Sequence, residues 1–144
     1  GFADSHPLKI LVVEDDKVNI RLVCEILSRL GYQAEAVNDG YKALAELVEG
    51  RHNVVLMDMQ MSRLDGFEAT RRIRKGECGH HVRDISIIAL TALALKEEKQ
   101  RILDCGVDYY LSKPIRLPAL KQILEAVSQR QSGAKKNRTP LESG

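Results

Sequence analysis

The sequence predicts an α/β protein in which a doubly wound, five-stranded parallel sheet carries helices on both faces. Short apolar runs alternate with longer segments whose apolar residues recur at helical spacing, and this alternation repeats five times. The apolar runs lack the polar alternation of a sheet with one wet face, which is typical of strands buried on both sides. Strand–helix units in series join parallel strands through right-handed crossovers.

Five short segments are predicted as strands. They lie at residues 9–13, 33–37, 54–61, 85–90 and 107–111, with the sequences KILVV, QAEAV, VVLMDMQM, ISIIAL and VDYYL. The second segment is the weakest of the five. The third is unusual because a single carboxylate, Asp58, interrupts an otherwise apolar run. An ionised carboxylate is costly to bury without a partner, so Asp58 needs either exposure or a cation.

A predicted helix follows each strand. The apolar positions that define three of them are Val18, Leu22, Ile26 and Leu30; Leu44, Leu47 and Val48; and Leu117, Leu120, Leu124 and Val127. The third and fourth helices are predicted at residues 67–74 and 96–104, with a polar loop at 76–84 between the third helix and the fourth strand. Asp39 is a candidate N-cap of the second helix, and Gly31 and Gly106 end the first and fourth.

Composition and length indicate one soluble globular domain. The chain has 144 residues, 44% hydrophobic and 29% charged, with a formal net charge of +2. This balance does not favour binding to nucleic acid or to an anionic membrane surface. Three cysteines at unrelated spacings argue against a disulfide framework, and no membrane-span run or signal peptide is present, so we expect a cytoplasmic domain. We expect the domain at 8–131, with flexible tails at 1–7 and 132–144.

Polar groups follow four of the predicted strands. Glu14, Asp15 and Asp16 end the first strand, and Asp58 ends the third. The carboxyl ends of parallel strands share one edge of the sheet, where functional groups gather in open α/β folds. We therefore expect Asp58 at an exposed strand end, close to the acidic group.

The fourth strand ends in Thr91, and Lys113-Pro114 follows the fifth. Converging carboxylates repel each other unless a cation is recruited, and an all-oxygen set suits Mg²⁺. A carboxylate such as Asp58 can act as a nucleophile toward phosphorus, with the metal and Lys113 offsetting charge on the transferred group. Each residue alone is more simply a cap or a loop residue. The four strand ends together favour phosphoryl chemistry.

The motifs ILVVEDD, VVLMDMQM, LDGFEATRRIR, IIALTA and GVDYYLSKPI identify the family that this chain resembles. From about residue 9 to 129 the chain resembles the receiver domain of response regulators in two-component signalling. The segments EDDKVN and DYYLSKPI are most similar to receivers of hybrid sensor histidine kinases. The resemblance implies a flavodoxin-like (βα)5 fold with strand order 2-1-3-4-5.

The resemblance also implies a phosphoacceptor and a metal site. Asp58 would accept a phosphoryl group from a phosphohistidine on a histidine kinase or a histidine phosphotransfer protein. Mg²⁺ would be bound directly by Asp15 and mostly through water by Glu14. Asp58 and the main-chain carbonyl of Gln60 would complete the protein ligands.

Other residues would contact or report the phosphoryl group. Lys113 would bind its oxygens, Met59 and Ala92 would lie beside it, and the small side chain of Ala92 would keep it accessible. Thr91 would move to hydrogen-bond the phosphorylated site, and Tyr110 would rotate inward behind it. The face formed by the fourth helix, the fifth strand and the fifth helix would then report the change to a partner.

Some features of the family are expected here and others differ. The bond between Lys113 and Pro114 is expected to be cis, as is common at this position in the family. Ser62 and Ser86 stand where the family often has proline, and the loop at 76–84 is slightly long. The CGHH segment in that loop lacks a second ligand cluster at zinc-finger spacing and is better explained as a polar loop.

The resemblance sets expectations for partners and activity. We expect neither direct nucleic-acid binding nor membrane contact by this domain, since the basic cluster Lys135, Lys136 and Arg138 is too small for the former. A kinase or output domain in a parent chain is compatible with the resemblance. By itself the fragment is expected not to be an enzyme, beyond promoting its own phosphorylation and dephosphorylation.

Three alternatives remain open at the level of sequence. A phosphatase of the haloacid-dehalogenase type also forms an aspartyl phosphate, but Gln60 stands where its acid/base aspartate would be. A flavodoxin-like electron carrier has the same strand order, but the acidic loop after the first strand would repel phosphate. A receiver that works only as a docking module, without phosphorylation, is the third.

Overall fold

The computed structural model describes residues 1–92 and 96–132, and its sheet contains five parallel strands. The strands are β1 (Ile10–Val13), β2 (Glu35–Val37), β3 (Val54–Asp58), β4 (Ser86–Thr91) and β5 (Tyr109–Ser112). Their order across the sheet is β2-β1-β3-β4-β5, which confirms the predicted doubly wound fold. Along the central row, Val12 pairs with Leu56, and Leu56 pairs with Ile88.

Six α-helices are present in the described part of the chain. They are α1 (Phe2–Ser5), α2 (Lys17–Arg29), α3 (Gly40–Val48), α4 (Gly66–Arg74), α5 (Lys96–Asp104) and α6 (Leu117–Ser132). Aspartate side chains cap three of them: Asp16 accepts from the N–H of Val18, Asp39 from that of Lys42, and Asp65 from that of Glu68. The predicted cap at Asp39 is confirmed.

The two faces of the sheet bury two separate apolar clusters. Successive strand residues point to opposite faces, so Leu11 and Val13 join one cluster while Ile10 and Val12 join the other. The first cluster packs against α3, α4 and α5, and the second packs against α2 and α6. This is why the strands are apolar without alternation.

Only half of the predicted apolar series of α2 faces the core. Leu30 is buried and Ile26 packs against the core beside Val23 and Leu27. Val18, in contrast, is 73% exposed, and Leu22 is also exposed. Apolar residues at adjacent helical positions form two neighbouring stripes, and the spacing alone does not say which of them the sheet covers. The exposed stripe lies near the carboxyl edge of the sheet, since α2 begins there.

The N-terminal segment, expected to be a flexible tail, forms the short helix α1. The N–H of Ala3 donates to the carbonyl of Leu30 at 3.0 Å, and the hydroxyl of Tyr32 donates to the carbonyl of His6 at 2.6 Å. Phe2 packs against the apolar cluster of α2 and α6. A helix of four residues is too short to show periodicity in the sequence. The predicted C-terminal tail lies outside the described residues from 133 onward, and Ser132 ends α6.

The segment at 76–84, predicted as a polar loop, contains buried residues and a short helical turn. Cys78 and Val82 are buried, and residues His80–Val82 form a turn of 3₁₀ helix. Arg74 anchors this region, because its guanidinium donates to the carbonyls of Ile85 at 2.7 Å and Gly106 at 2.9 Å. The three cysteines are free thiols. Within residues 1–92 and 96–132, none of the helices combines the length and apolarity that crossing a membrane requires.

Candidate functional site

The four predicted strand ends meet at one edge of the sheet. Asp58 and Thr91 are the last residues of β3 and β4, while Glu14 and Lys113 immediately follow β1 and β5. Parallel pairing aligns these ends, with Asp58 opposite Leu90 in the register of β3 and β4. The topology therefore brings together groups that lie far apart in the chain.

Asp58 lies at its strand end but is not exposed there, so that part of the prediction is wrong. Asp58 and Glu14 are each 1% exposed. Nζ of Lys113 lies 3.1 Å from Oδ1 of Asp58 and 3.0 Å from Oε1 of Glu14, donating to both. One ammonium group thus pairs with two buried carboxylates, and this pairing offsets the free-energy cost of burying them.

The pKa values of Glu14 and Lys113 follow from this arrangement. Burial raises the pKa of Glu14, and the hydrogen bond with Asp58 raises it further, while Lys113 acts in the opposite direction. Burial alone would lower the pKa of Lys113, but its hydrogen bonds and charge interactions with Glu14 and Asp58 outweigh burial and leave that pKa raised. Lys113 is therefore held in its charged form.

The acidic side of the site has the donor set of a divalent metal centre. Carboxylate oxygens of Glu14, Asp15 and Asp58 lie within 4.8 Å of one another. Oδ2 of the exposed Asp15 accepts from the N–H of Ser62 at 3.1 Å, which orients it toward the other two. Three carboxylates with open positions fit the hard, oxygen-rich coordination of Mg²⁺. Asp16 instead caps α2, and its N–H donates to Glu14.

The loop after β3 places Gln60, rather than Met59, beside the carboxylate. The N–H of Gln60 points at Oδ1 of Asp58, 3.2 Å away. The N–H of Met59 is used by the carbonyl of Leu90 at 3.0 Å, and the Met59 side chain is buried in the core. The place of Met59 at the phosphoryl group and the metal-ligand role of the Gln60 carbonyl stay predictions.

Gly66 is a functional position that the motif LDGF indicated only indirectly. A Cβ atom on Gly66 would lie 2.5 Å from the carbonyl oxygen of Asp58 and 2.8 Å from Cα of Met59. The start of α4 therefore packs directly on the backbone that carries Asp58, and only glycine allows this approach.

The remaining predicted residues lie on β4 and β5 or directly after them. Thr91 is buried at the end of β4, and Ala92 next to it is exposed. Tyr110 is already buried in the cluster that packs on α3, α4 and α5, so an inward rotation is not needed to bury its ring. The bond between Lys113 and Pro114 is cis, as predicted.

Comparison with known proteins agrees with this geometry. The family model described as response regulator receiver domain matches residues 10–125, which is most of the chain. The chain belongs to the response regulator receiver family. The match spans all five strands and the residues Glu14, Asp15, Asp58, Thr91 and Lys113.

Curated relatives of this receiver domain are sensor histidine kinases. It is 41% identical over 128 residues to sensor histidine kinase RcsC of Escherichia coli K12, an alignment covering 89% of this chain and 13% of RcsC. It is 37% identical over 120 residues to sensor histidine kinase GacS of Pseudomonas protegens, covering 83% of this chain and 13% of GacS. The chain thus spans only a small part of these relatives, in the portion where they carry a receiver domain.

Solved receiver structures share the fold over nearly their whole length. The receiver domain of a sensor histidine kinase from Pseudomonas aeruginosa PAO1, described with a magnesium ion coordinated in its active-site cleft, is 37% identical with a TM-score of 0.76. That match covers 84% of this chain and 97% of the other. The receiver domain of Ssk1 from Saccharomyces cerevisiae, crystallised with the histidine phosphotransfer protein Ypd1, is 26% identical with a TM-score of 0.78, covering 91% and 95%.

Proposed function

We propose that Asp58 of this receiver domain accepts a phosphoryl group from a phosphohistidine on a partner protein, in a reaction that requires Mg²⁺. The observation that carries the proposal is the position of the Asp58 carboxylate. It accepts from Nζ of Lys113, and it lies within 4.8 Å of carboxylate oxygens of Glu14 and Asp15. A nucleophile, a cation for the transferred group and a set of metal ligands therefore lie together at one edge of the sheet.

The residues divide the chemistry between them. A carboxylate oxygen of Asp58 attacks phosphorus as the N–P bond of the donor breaks, and the electron pair of that bond remains on the imidazole nitrogen. Nζ of Lys113 exchanges its contact with Oδ1 for the incoming phosphoryl oxygens and offsets their charge. Glu14, Asp15, Asp58 and the Gln60 carbonyl would hold Mg²⁺, which would supply Lewis-acid stabilisation of the same oxygens.

The response to phosphorylation involves Thr91 and the face formed by α5, β5 and α6. The hydroxyl of Thr91 hydrogen-bonds the new anionic group, and Ala92 leaves room for it. The ring of Tyr110, on β5, lies 6.0 Å from Nζ of Lys99, on α5. A charge change at Asp58 is thereby passed to α5 as a shift between two packings.

The rival functions are not favoured. In a haloacid-dehalogenase-type phosphatase the residue two positions after the nucleophile must exchange a proton, and Gln60 has no ionisable group. In an electron carrier the loop after β1 would receive a phosphate, but here it carries three carboxylates. The receiver promotes its own phosphorylation and dephosphorylation without being a turnover enzyme.

The donor is a histidine kinase or a histidine phosphotransfer protein, and we place its docking surface at the exposed stripe of α2. Val18 and Leu22 are exposed there, and Leu22 borders a small cavity that also reaches Glu14, Lys113 and Ile115. A receiver of the same fold was crystallised with a histidine phosphotransfer protein, which supports this class of partner. We infer a parent chain with kinase or output domains and a cytoplasmic setting, where the ATP that charges such donors is found.

Intact-mass analysis after incubation with acetyl phosphate tests the acceptor. We expect wild type to gain one phosphoryl group with Mg²⁺ and none after EDTA, and Asp58→Asn to gain none. Equal labelling of the variant would refute the assignment of Asp58. If acetyl phosphate and a phosphorylated histidine phosphotransfer protein both fail to label wild type, the domain is a docking module and the proposal is wrong.

Transfer from the protein donor tests the docking surface separately. We expect Val18→Asp to slow transfer from a histidine phosphotransfer protein at least about tenfold, since a buried interface charge costs about 1–3 kcal/mol. Labelling by acetyl phosphate should be unchanged. Val48→Asp places the same charge at another exposed valine, on α3, and is the control that should transfer normally; Val48 is 49% exposed and Val18 is 73% exposed.

A further inference from the structure

A second cluster of metal-ligating side chains lies at the edge of the sheet opposite Asp58. Glu35 begins β2, and His52 lies two residues before β3, so both are at the amino edge. The helix α3 runs back against the strand direction, and its last turns return Glu46 to that same edge. Three elements that are separate in the chain thus converge on one point, without involving the phosphoacceptor site.

The three side chains are within coordinating distance of one another. One ligand atom each from Glu35, Glu46 and His52 lies within 4.8 Å of the other two. Nε2 of His52 is 2.6 Å from Oε1 of Glu35, and the imidazole is 97% buried with that nitrogen directed at the carboxylates. A surface cavity of about 280 Å³, lined by Glu35, Arg51 and His52 among others, opens onto the cluster.

An exposed cation, Arg51, already pairs with one carboxylate of this cluster. The guanidinium of Arg51 pairs with Glu46 and lies 3.7 Å from Glu49. The Arg51 side chain is 56% exposed, so it can leave Glu46 for solvent or for Glu49 without a burial cost.

We propose that Glu35, Glu46 and His52 form a binding site for Zn²⁺, in which Arg51 swings away from Glu46 as the ion binds. One imidazole and two carboxylates are ligands that Zn²⁺ accepts in a three-residue site with water in the fourth position. The imidazole nitrogen favours Zn²⁺ over Mg²⁺, which prefers oxygen. The ion would tie the edge strand β2 to α3 and β3, and this site does not depend on phosphoryl transfer at Asp58.

Thermal unfolding of the full chain, first stripped with EDTA and dialysed, provides the test. We expect ZnCl₂ at about 100 times its Kd to raise the Tm by roughly 10 °C. Any change that MgCl₂ produces through the Asp58 site should be the same in wild type and in Glu35→Gln. Isothermal titration should give one Zn²⁺ per chain for this site. Glu35→Gln should abolish both the rise in Tm with Zn²⁺ and the binding of the ion at this site. Because Glu35 is 63% exposed, the variant should fold normally.

Two control variants locate the ion. Glu49→Gln removes a carboxylate from the same surface without touching the proposed ligands and should retain the full response. Asp58→Asn should also retain it, which separates this site from the acidic cluster at the other edge. The proposal fails if wild type shows no Zn²⁺ response, if Glu35→Gln and Glu46→Gln respond like wild type, or if Glu49→Gln loses the response equally.

Discussion

Nζ of Lys113 lies 3.1 Å from Oδ1 of Asp58, although the two residues are 55 positions apart in the chain. The ammonium group explains how a carboxylate can lie inside a buried strand. Asp58 does not avoid burial; it is buried beside a cation that comes from a different strand. The same contact stabilises the resting site and places a positive charge where a phosphoryl group would arrive.

Replacing Lys113 with methionine separates its two roles. Without the ammonium, Glu14 and Asp58 are buried together with no cation, so we expect the free energy of unfolding in EDTA to fall by about 2–4 kcal/mol. Mg²⁺ should bind more tightly, by roughly 3- to 10-fold, because the competing charge is gone. Urea denaturation with and without Mg²⁺ measures both effects.

The same variant should lose phosphoryl transfer even when Mg²⁺ saturates it. The expected reduction is at least about 10²-fold, in line with the removal of one preorganised charge from a phosphoryl-transfer site. Arginine at this position keeps the charge but not the compact geometry, and it serves as the control for charge alone. Wild-type transfer rates in Lys113→Met would show that Lys113 has only a structural role.

The N–H of Ser62 holds Asp15, and a proline at this position would remove that donor. The resembled family often has proline here, so Ser62→Pro should fold. We expect Ser62→Pro to weaken Mg²⁺ binding roughly 3- to 10-fold, since a single hydrogen bond contributes about 1 kcal/mol. Ser62→Ala keeps the N–H and should bind like wild type, as measured by titration of Mg²⁺. Equal affinities for all three proteins would mean that the contact does not orient Asp15.

The raised pKa of Glu14 gives the metal-free protein a pH dependence of known sign. Below the ordinary value of 4.5 the carboxyl is protonated in both the folded and the unfolded state. As the pH rises above 4.5, the unfolded state ionises first, so the stability that protonation contributes is lost as the pH passes through the folded pKa. We expect the free energy of unfolding of wild type in EDTA to fall across this range relative to Glu14→Gln.

Saturating Mg²⁺ should reverse that loss, because it favours the ionised carboxylate. Urea titrations at a series of pH values, with and without the metal, measure both curves. Parallel curves for wild type and Glu14→Gln in EDTA would contradict the assigned burial effect.

Arg74 anchors the α4 side of the fold, and its removal should be costly. Its guanidinium pairs with the buried Asp108 at 3.1 Å besides donating to the main-chain carbonyls of Arg83, Ile85 and Gly106. We expect Arg74→Met to lower the free energy of unfolding by about 3–5 kcal/mol, because Asp108 would be left buried without its cation. Arg72→Met, on the same helix but in a half-exposed pair with Glu68, should cost less than about 1 kcal/mol. Chemical denaturation compares the two.

The elements were predictable from sequence where the local pattern had a single physical meaning. The buried strands, the Asp39 cap and the helix Lys96–Asp104 agree with the structure because apolar runs, capping residues and glycine stops act locally. The exposed stripe at Val18 was not predictable, because α2 carries two apolar stripes. Which of them is buried depends on how the helix packs on the sheet. Helix α1 was missed because its stability comes from contacts with Leu30 and Tyr32 rather than from its own four residues.

The sequence by itself determined that Glu14, Asp58, Thr91 and Lys113 would share one edge, because parallel topology leaves the carboxyl ends of the strands no other arrangement. Only the tertiary structure decided which atoms meet. It buried Asp58 rather than exposing it, gave Lys113 two carboxylate partners, and turned the N–H of Gln60 instead of Met59 toward the acceptor. These outcomes depend on side-chain packing and hydrogen-bond competition between separate strands, and no local pattern in the chain records them.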